Sequence, residues 1–531
     1  MIPSDLNIRK ESLNPGQSFI VEAPAGSGKT TILIQRYLKL LGGVSQPEEI
    51  LAMTFTRKAA GEMKRRIIEA LNQAQDVSPP EDEPEKTTWK LAQVALERNK
   101  SFGWRLLENP ARLRVVTIDS FCSFLTKRTP LLSKMGGTTE IQENIQDLYA
   151  NTAKQILSKI ESADYPYAEL VRVLLEHLDN DKKTFIQRIS QLLNLRDQWM
   201  ISFFDKFENI KEHLLDNPYK EKLERLYTEL IEKELNKVYS LFPESSKTPL
   251  VTFSVYAGKN LKTYDQENSI TALSQLDSFP NPQIEKLKQW KGISNLLLTS
   301  TGEFRKRIDK NLGFPVDNKK IKTEFKIYLE LLTGIKPLQK ALNKIKLLPN
   351  PYFSDYEWKI LRSTLRLLPE LESQLKSLLQ ENKLSDFSEI SLAALKSFGN
   401  ELEPTDLGKY LDDKIQHILV DEYQDTSFKQ EALLKKLTTE WEPDSGRTLF
   451  IVGDPKQSIY RFRDAEVGLF LKTQKEGINN LNLNQLTLES NFRSQQSLVD
   501  WNNRCFQKIL PEEDNPDSGA IAFSKSTAIH S

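Results

Sequence analysis

The stretch Ala23-Pro24-Ala25-Gly26-Ser27-Gly28-Lys29-Thr30 decides the fold of this chain. An apolar, β-prone run at 18–22 precedes it, and a run with the amphipathic period of a helix follows at 32–41. A glycine-rich turn between a strand and a helix is the setting of a phosphate-binding P-loop. Its glycines let the backbone curl around phosphate groups, and the helix N-terminus adds amide donors and the positive end of a dipole. The sequence therefore predicts a nucleotide site at this turn.

The residues of this turn have predicted roles in binding the nucleotide. Lys29 is expected to reach the β- and γ-phosphates, and the Thr30 hydroxyl is expected to bind Mg²⁺. Position 23 carries alanine where such a loop usually has its first glycine, which is a small departure. The predicted nucleotide-binding residues of the turn are Ala23, Pro24, Ala25, Gly26, Ser27, Gly28, Lys29, Thr30 and Thr31.

A second segment, Val420-Asp421-Glu422-Tyr423-Gln424-Asp425-Thr426, completes the predicted site late in the chain. The apolar run at 418–420 is typical of a buried parallel strand. Asp421, at the end of that strand, is predicted to hold Mg²⁺ together with Thr30. Glu422 is predicted to act as the general base that polarises the attacking water. The two segments together predict ATP hydrolysis, with ATP and Mg²⁺ as the cofactors.

Four further segments, in order along the chain with these two, resemble the UvrD/Rep-like superfamily 1 DNA helicases. The resemblance is closest to the branch that contains RecB and AddA, the motor subunits of bacterial recombination nucleases. The four segments are ILAMTFTRKAA at 50–60, VTIDSFC at 116–122, VGDPKQSIYRFR at 452–463 and LESNFRS at 488–494. The six segments cover the first and last parts of the chain well and the middle only loosely.

The resemblance implies roles for three residues around the terminal phosphate and the base. Gln457 would sense the γ-phosphate and couple it to the DNA track. Arg493 would contact the γ-phosphate as an arginine finger, where charge builds in the transition state. Phe492 would stack on the adenine. With Lys29 and the acidic pair at 421–422, Gln457 and Arg493 complete the predicted catalytic set.

The resemblance also implies a DNA track along the same segments. Phe55, Tyr460 and Phe462 would offer ring faces for base stacking, each contributing about 1–3 kcal/mol. The predicted contacts to the strand backbone are Arg57, Thr117 and Arg463. Ordinary core packing is the alternative for each of the three aromatic residues, and the sequence leaves it open.

Several departures from the family pattern limit these predictions. Relatives often carry an adenine-reading Gln about twenty residues before the P-loop lysine, where this chain has Ile8 and Arg9. Nucleotide selectivity therefore stays open. Asp119 stands where relatives often have His. Nothing after Ser494 resembles the later helicase motifs or a nuclease domain, so we expect the N-terminal part of a longer protein, with weak turnover by this chain alone.

The pattern predicts an α/β fold, a P-loop NTPase whose RecA-like parallel sheet carries a large inserted helical domain. Strand-like runs occur at 18–23, 50–55, 114–119, 416–420 and 447–454, and helical periodicity dominates between about 125 and 400. The predicted domains are the first part of the ATPase domain at 1–124, the helical insertion at 125–400, the second part of the ATPase domain at 401–494, and the start of a second RecA-like domain at 495–531.

Composition limits the partners. The chain has 73 basic and 73 acidic side chains, so a nucleic acid must be held by local patches and not by a global field. Basic clusters at 305–307 and 319–322 are candidates, although a solvated helix face explains them better. Two cysteines and four scattered histidines predict neither a disulfide framework nor a zinc site. No run is apolar enough for a membrane span, and we expect a cytoplasmic protein.

Two classes of function remain open. The first is an ATP-driven DNA helicase or translocase of DNA repair or recombination, with the 3′→5′ polarity that the resemblance implies. The second is a non-motor module that binds ATP and DNA within a larger repair assembly. Single-stranded or tailed duplex DNA is the expected partner in either case. The resemblance further implies a nuclease subunit or domain of a recombination complex.

Overall fold

The structure is a computed structural model with two compact units. It describes residues 3–76, 78–130, 140–142, 145–196, 199–200, 217–263, 265–316, 318–399, 405–460, 465–516 and 519–530. The first unit, here called the sheet unit, comprises 1–168, 180–205 and 368–531. The second, here called the helical unit, comprises 169–179 and 206–367. The predicted domain boundaries stay a prediction.

A six-stranded parallel sheet forms the centre of the sheet unit, which confirms the predicted fold class. Its strands are β1 (Phe19–Glu22), β2 (Ile50–Thr54), β3 (Arg114–Thr117), β6 (His417–Val420), β7 (Thr448–Gly453) and β8 (Asn484–Thr487). They lie in the order β3-β2-β6-β7-β1-β8, and every neighbouring pair is parallel. Two small parallel pairs stand apart from this sheet: β4 (Glu140–Ile141) with β5 (Leu384–Ser385), and β9 (Ser490–Gln495) with β10 (Thr527–His530).

The strand prediction needs two corrections. Strand β8 was not predicted, because its sequence NQLT is polar and it lies at the sheet edge, where only one side has a hydrogen-bonded neighbour. The run predicted as a strand at 114–119 ends at Thr117, because the Thr117 hydroxyl caps the helix that begins at Ile118.

Helices cover both faces of the sheet because side chains alternate along each strand. Phe19 and Val21 of β1 lie in one core, and Ile20 between them lies in the other. The first core packs under helices α2 (Lys29–Leu41), α3 (Arg57–Gln73) and α4 (Glu83–Ser101). The second packs under α5 (Ile118–Arg128), α15 (Phe387–Lys396), α16 (Asp406–Lys414), α17 (Phe428–Leu437) and α18 (Val467–Glu476). The other helices of this unit are α1 (Leu6–Glu11), α6 (Gln146–Ser158), α8 (Lys182–Asn194) and α19 (Gln496–Ile509).

The helical unit has its own apolar core, which includes the fully buried Trp290, Phe314 and Phe325. Its helices are α9 (Asn217–Leu241), α10 (Glu244–Lys262), α11 (Leu287–Leu297), α12 (Lys319–Thr333) and α13 (Lys336–Leu347). Helices α7 (Ala168–His177) and α14 (Asp355–Glu381) contribute residues to both units. Of the basic cluster at 305–307, Arg305 is used in packing, since its Nε donates to the Asn295 carbonyl at 3.1 Å.

The parallel sheet brings the predicted site segments to one edge. The P-loop directly follows β1, the acidic pair follows β6, and the segment at 454–457 follows β7. Ligands of open α/β sheets bind at the carboxyl ends of the strands. Segments far apart in sequence are therefore neighbours here. None of the helices in the described part of the chain has the length and apolarity that a membrane span requires.

Candidate nucleotide and DNA site

Two glycines shape the P-loop. Gly26 and Gly28 have φ values of 81° and 80°, in the left-handed region that favours glycine. Gly28 also caps the N-terminus of helix α2. A Cβ added at Gly26 would lie 2.8 Å from Asn491 Oδ1 and 2.9 Å from Arg493 Cβ. A side chain at position 26 would therefore collide with strand β9 unless Asn491 and Arg493 moved.

The loop fits a triphosphate on observations of this chain. The Ser27 hydroxyl is buried and has no hydrogen-bond partner among the described residues. A buried polar group without a partner is costly unless a ligand or water satisfies it. Lys29 begins helix α2, so its ammonium group stands at the positive end of the helix dipole. A phosphate oxygen would supply the partner that the Ser27 hydroxyl lacks.

The P-loop lysine contacts the acid that follows β6. Lys29 Nζ lies 2.5 Å from Glu422 Oε2, although 393 positions separate the two residues. Glu422 adopts a left-handed backbone conformation, with φ of 55°, which is uncommon for a residue with a side chain. The side chain of Gln424 holds the same carboxylate, its Nε2 donating to Glu422 Oε2 at 2.7 Å. The structure thus brings together two predicted catalytic residues that lie far apart in the sequence.

Asp421 is desolvated at the base of the site. Burial raises the pKa of Asp421 to about 6; the Lys29 charge opposes this shift, and the neighbouring Glu422 charge adds to it. One oxygen accepts the backbone N–H of Glu422 at 2.9 Å. The described residues contain no cluster of three or more His, Cys, Asp or Glu side chains suited to a metal ion. A single carboxylate and the Thr30 hydroxyl fit Mg²⁺, which keeps several waters and takes phosphate oxygens as further ligands.

Gln424 connects the acidic segment to the segment after β7. Its side chain is 1% exposed, and its Oε1 accepts the backbone N–H of Asp454 at 2.9 Å. Asp454 in turn accepts from Gln457 Nε2 at 2.5 Å. Gln457 is exposed at the carboxyl end of the sheet strands. A hydrogen-bonded chain therefore runs from Lys29 through Glu422, Gln424 and Asp454 to the predicted phosphate sensor.

Strand β9 contacts the P-loop through two hydrogen bonds. The backbone N–H of Phe492 donates to the Gly26 carbonyl at 2.8 Å, and Asn491 Nδ2 donates to the Ala25 carbonyl at 3.2 Å. Arg493 is exposed next to Gly26. This placement supports the predicted contacts of Phe492 and Arg493 with the nucleotide, which stay predictions.

Helix α1 adds two residues that the sequence did not indicate. The Arg9 guanidinium lies 5.0 Å from the centre of the Phe492 ring, and its Nη2 donates to the Ser27 carbonyl at 2.7 Å. Asp5 is 2% exposed and binds Arg9 with both oxygens. It also accepts the backbone N–H groups of Glu489 and Ser490, each at 3.0 Å. The opposite charges at i and i+4 were visible in the sequence, but their contacts with residues 489–492 were not.

The predicted DNA contacts lie along the same edge with unequal accessibility. Phe55 is only 9% exposed, and its ring lies 4.4 Å from that of Tyr460. Arg57 is exposed at the start of helix α3. Thr117 is buried, and its hydroxyl is occupied by Ser120, accepting from its N–H at 3.0 Å. The two other predicted contacts, Phe462 and Arg463, lie outside the described residues.

Comparison with known proteins gives a family match and similar relatives. Residues 6–477 match the family described as UvrD/REP helicase N-terminal domain. An ATP-dependent helicase/nuclease subunit from Ligilactobacillus salivarius is 26% identical over 522 residues, which cover 94% of this chain and 38% of that protein. Proteins with the same name from Bacillus cereus (ATCC 14579) and Bacillus pumilus (SAFR-032) are 26% and 27% identical, again over 94% of this chain, and over 38% and 39% of their own lengths. The chain thus spans less than half the length of these relatives.

Proposed function

The chain belongs to the UvrD/REP helicase family, and from this premise we propose that it carries the ATP site and part of the DNA track of a 3′→5′ DNA helicase or translocase. Family membership confirms the resemblance found in the sequence segments. The relatives are named ATP-dependent helicases, which supports ATP as the fuel. We further propose that the whole protein acts in DNA repair or recombination, in the cytoplasm of a bacterium.

The contact between Lys29 and Glu422 is the observation that carries this proposal. ATP hydrolysis needs a P-loop lysine close to an acid at the end of another strand of the same sheet. Lys29 and Glu422 have this arrangement, although β7 lies between β1 and β6. In this proposal the lysine binds phosphate and the acid polarises the attacking water. A plain structural ion pair would not require the left-handed backbone that Glu422 adopts.

The side chains then have definite tasks when Mg-ATP is bound. Lys29 exchanges its carboxylate partner for phosphate oxygens, which frees Glu422 to accept a proton from water. Gln424 keeps the Glu422 carboxylate oriented during this exchange, because its amide donates to the same oxygen that Lys29 leaves. Thr30 and Asp421 would hold the metal ion, which supplies charge neutralisation for the phosphates.

Coupling to DNA follows from the chain of hydrogen bonds toward Gln457. A change at the γ-phosphate reaches Asp454 through Gln424, and the segment after Asp454 leads directly to Tyr460. We propose that Phe55 and Tyr460 separate from each other to take up a base between their rings. Such stacking tolerates any base, so sequence preference is expected to be slight.

A linkage measurement tests this proposal on the chain as it exists. The affinity for fluorescein-labelled single-stranded DNA is measured by anisotropy at several salt concentrations, with and without a non-hydrolysable ATP analogue and Mg²⁺. A DNA motor predicts salt-sensitive binding that changes severalfold with the analogue, since coupling between two sites is reciprocal. Lys29→Ala should abolish the change, and Lys39→Ala, an exposed lysine on the same helix, should preserve it.

Two outcomes would contradict the motor hypothesis. If the chain binds both ligands with affinities that do not influence each other, the alternative of a non-motor module holds. If the chain binds neither, the family's chemistry is absent from this chain. Partners beyond DNA are also part of the proposal: the relatives are named as one subunit of a helicase/nuclease, which supports an associated nuclease and a further protein chain in the assembly.

A further inference from the structure

Three side chains that are not among the predicted site residues form a hydrogen-bonded cluster at the start of the P-loop. Lys456 Nζ forms an ion pair with Glu22 Oε1 and donates to Ser524 Oγ at 2.7 Å. The Ser524 hydroxyl donates in turn to Glu22 Oε1 at 3.1 Å. Glu22 is the last residue of β1, immediately before the P-loop, and Lys456 directly precedes Gln457. The three groups therefore join the P-loop strand, the sensor segment and a segment near residue 524.

The ion pair can fix the distance between the end of β1 and the segment that follows β7. Strands β1 and β7 are paired in register, with Glu22 opposite Gly453, so rigid backbone holds both ends of the contact. The two side chains are only 17% and 15% exposed, which limits the solvent screening that weakens surface pairs. Lys456 lies 4.0 Å from a second carboxylate, that of Asp454. The Lys456 ammonium group therefore lies close to one carboxylate at the end of β1 and to another directly after β7.

The cluster of Lys456, Glu22 and Ser524 is also linked to strand β9. Ser524 precedes β10, and β10 pairs with β9, which carries Phe492 and Arg493. The P-loop is therefore held on one side through Glu22 and on the other through the bond from the Phe492 N–H to the Gly26 carbonyl.

We propose that Lys456 and Glu22 form a positioning pair that sets where Gln457 stands relative to the terminal phosphate. In this proposal neither residue is assigned a direct contact with the nucleotide. The pair acts through Gln457, and Ser524 extends its effect to β10. This inference rests on the proposed function. Its consequence is specific: loss of the pair weakens binding of a nucleotide that has a γ-phosphate and spares one that lacks it.

The test is a set of binding titrations on the full chain with Mg²⁺. A fluorescent non-hydrolysable ATP analogue and the matching ADP derivative are titrated against wild type, Glu22→Gln, Lys456→Met and the double variant. Each single variant is expected to lose about tenfold in affinity for the ATP analogue and to stay within about twofold for ADP. The double variant should lie closer to wild type than the product of the single effects, since no unpaired charge remains.

Further variants separate positioning from general stability. Lys456→Arg keeps the charge and should retain the wild-type ratio of ATP to ADP affinity. Lys472→Met, which removes an exposed i,i+4 pair with Glu476, is the matched control and should change neither affinity. Equal losses for ATP and ADP, additive losses in the double variant, or no change at all would each overturn the positioning role. Failure of wild type to bind either nucleotide would instead overturn the proposed function on which it rests.

Discussion

Removal of the Asp5 carboxylate is expected to loosen both the P-loop and strand β9. Asp5 binds Arg9 with both oxygens and accepts the backbone N–H groups of Glu489 and Ser490 as well as the Ser490 hydroxyl. Arg9 carries this attachment to the Ser27 carbonyl of the P-loop. The Asp5 side chain therefore connects helix α1 directly to the start of β9 and, through Arg9, to the P-loop.

The expected cost of Asp5→Ala follows from these contacts. A buried backbone N–H left without an acceptor costs about 1–3 kcal/mol. The buried N–H of Ser490 loses its acceptor, and so does the part-buried N–H of Glu489, at a smaller cost. Arg9 also loses its carboxylate partner. Water entering the vacated space offsets part of the loss, so we expect about 3 kcal/mol in total. For a unit of this size the unfolding midpoint should fall by roughly 6 °C.

The charge of Asp5 adds a pH dependence with a definite sign. Burial acts to raise the pKa of Asp5, but the hydrogen bonds and charge of Arg9 and the bonds from Ser490 together lower it below the ordinary value. Its stabilising contribution is therefore complete above the ordinary aspartate pKa of about 4 and is lost as the pH falls through the lower folded value. Asp5→Ala lacks this acid-dependent part.

Differential scanning calorimetry at neutral and acidic pH measures both effects, with Asp76→Ala at an exposed position as the control. Affinity for Mg-ATP should fall in parallel, because Ser490 begins the strand that contacts Gly26. A midpoint within about 1 °C of wild type at neutral pH would refute the reasoning.

Three other predictions concern separate parts of the sheet unit. Gly26→Ala places a Cβ in a left-handed turn and against Asn491, and should weaken Mg-ATP binding at least about tenfold in a fluorescence titration. Burial and the Arg36 charge lower the pKa of His417 to about 4, so acidification from pH 7 to 5 should cost about 2 kcal/mol of stability in wild type and much less in His417→Gln, as followed by thermal unfolding. Tyr460→Ala should weaken single-stranded DNA binding by about 1–3 kcal/mol in anisotropy titrations, while Tyr410→Ala at an exposed position should not.

The sequence predicted those parts of the fold whose signal is local. Apolar runs located five of the six strands in the sheet, and the glycine-rich turn located the P-loop between β1 and α2. Strand β8 gave no such signal, since polar residues at a sheet edge have the composition of a loop. The alternation of apolar and polar side chains also carries no information on the order of the strands in the sheet. It is this order that places β1 between β7 and β8.

The contacts that complete the site depend on this order and were therefore missed. Glu22 and Lys456 stand at the ends of adjacent strands, but nothing in either segment alone indicates the partner. The same holds for Asp5 and the hydrogen bonds that it accepts near residue 490. For Phe55, the sequence left core packing and DNA contact open, and its burial against Tyr460 shows that the ring must become accessible before it can stack on a base.

Equilibrium titration of a fluorescent ATP analogue with Mg²⁺ tests the central claim most directly. Wild type should bind it saturably with one site per chain. Lys29→Ala should lose most of that affinity, because Lys29, which contacts Glu422, is the proposed phosphate-binding cation. Lys39→Ala, further along the same helix, should bind like wild type. Equal affinity in wild type and Lys29→Ala would contradict the assignment of this edge of the sheet as the ATP site.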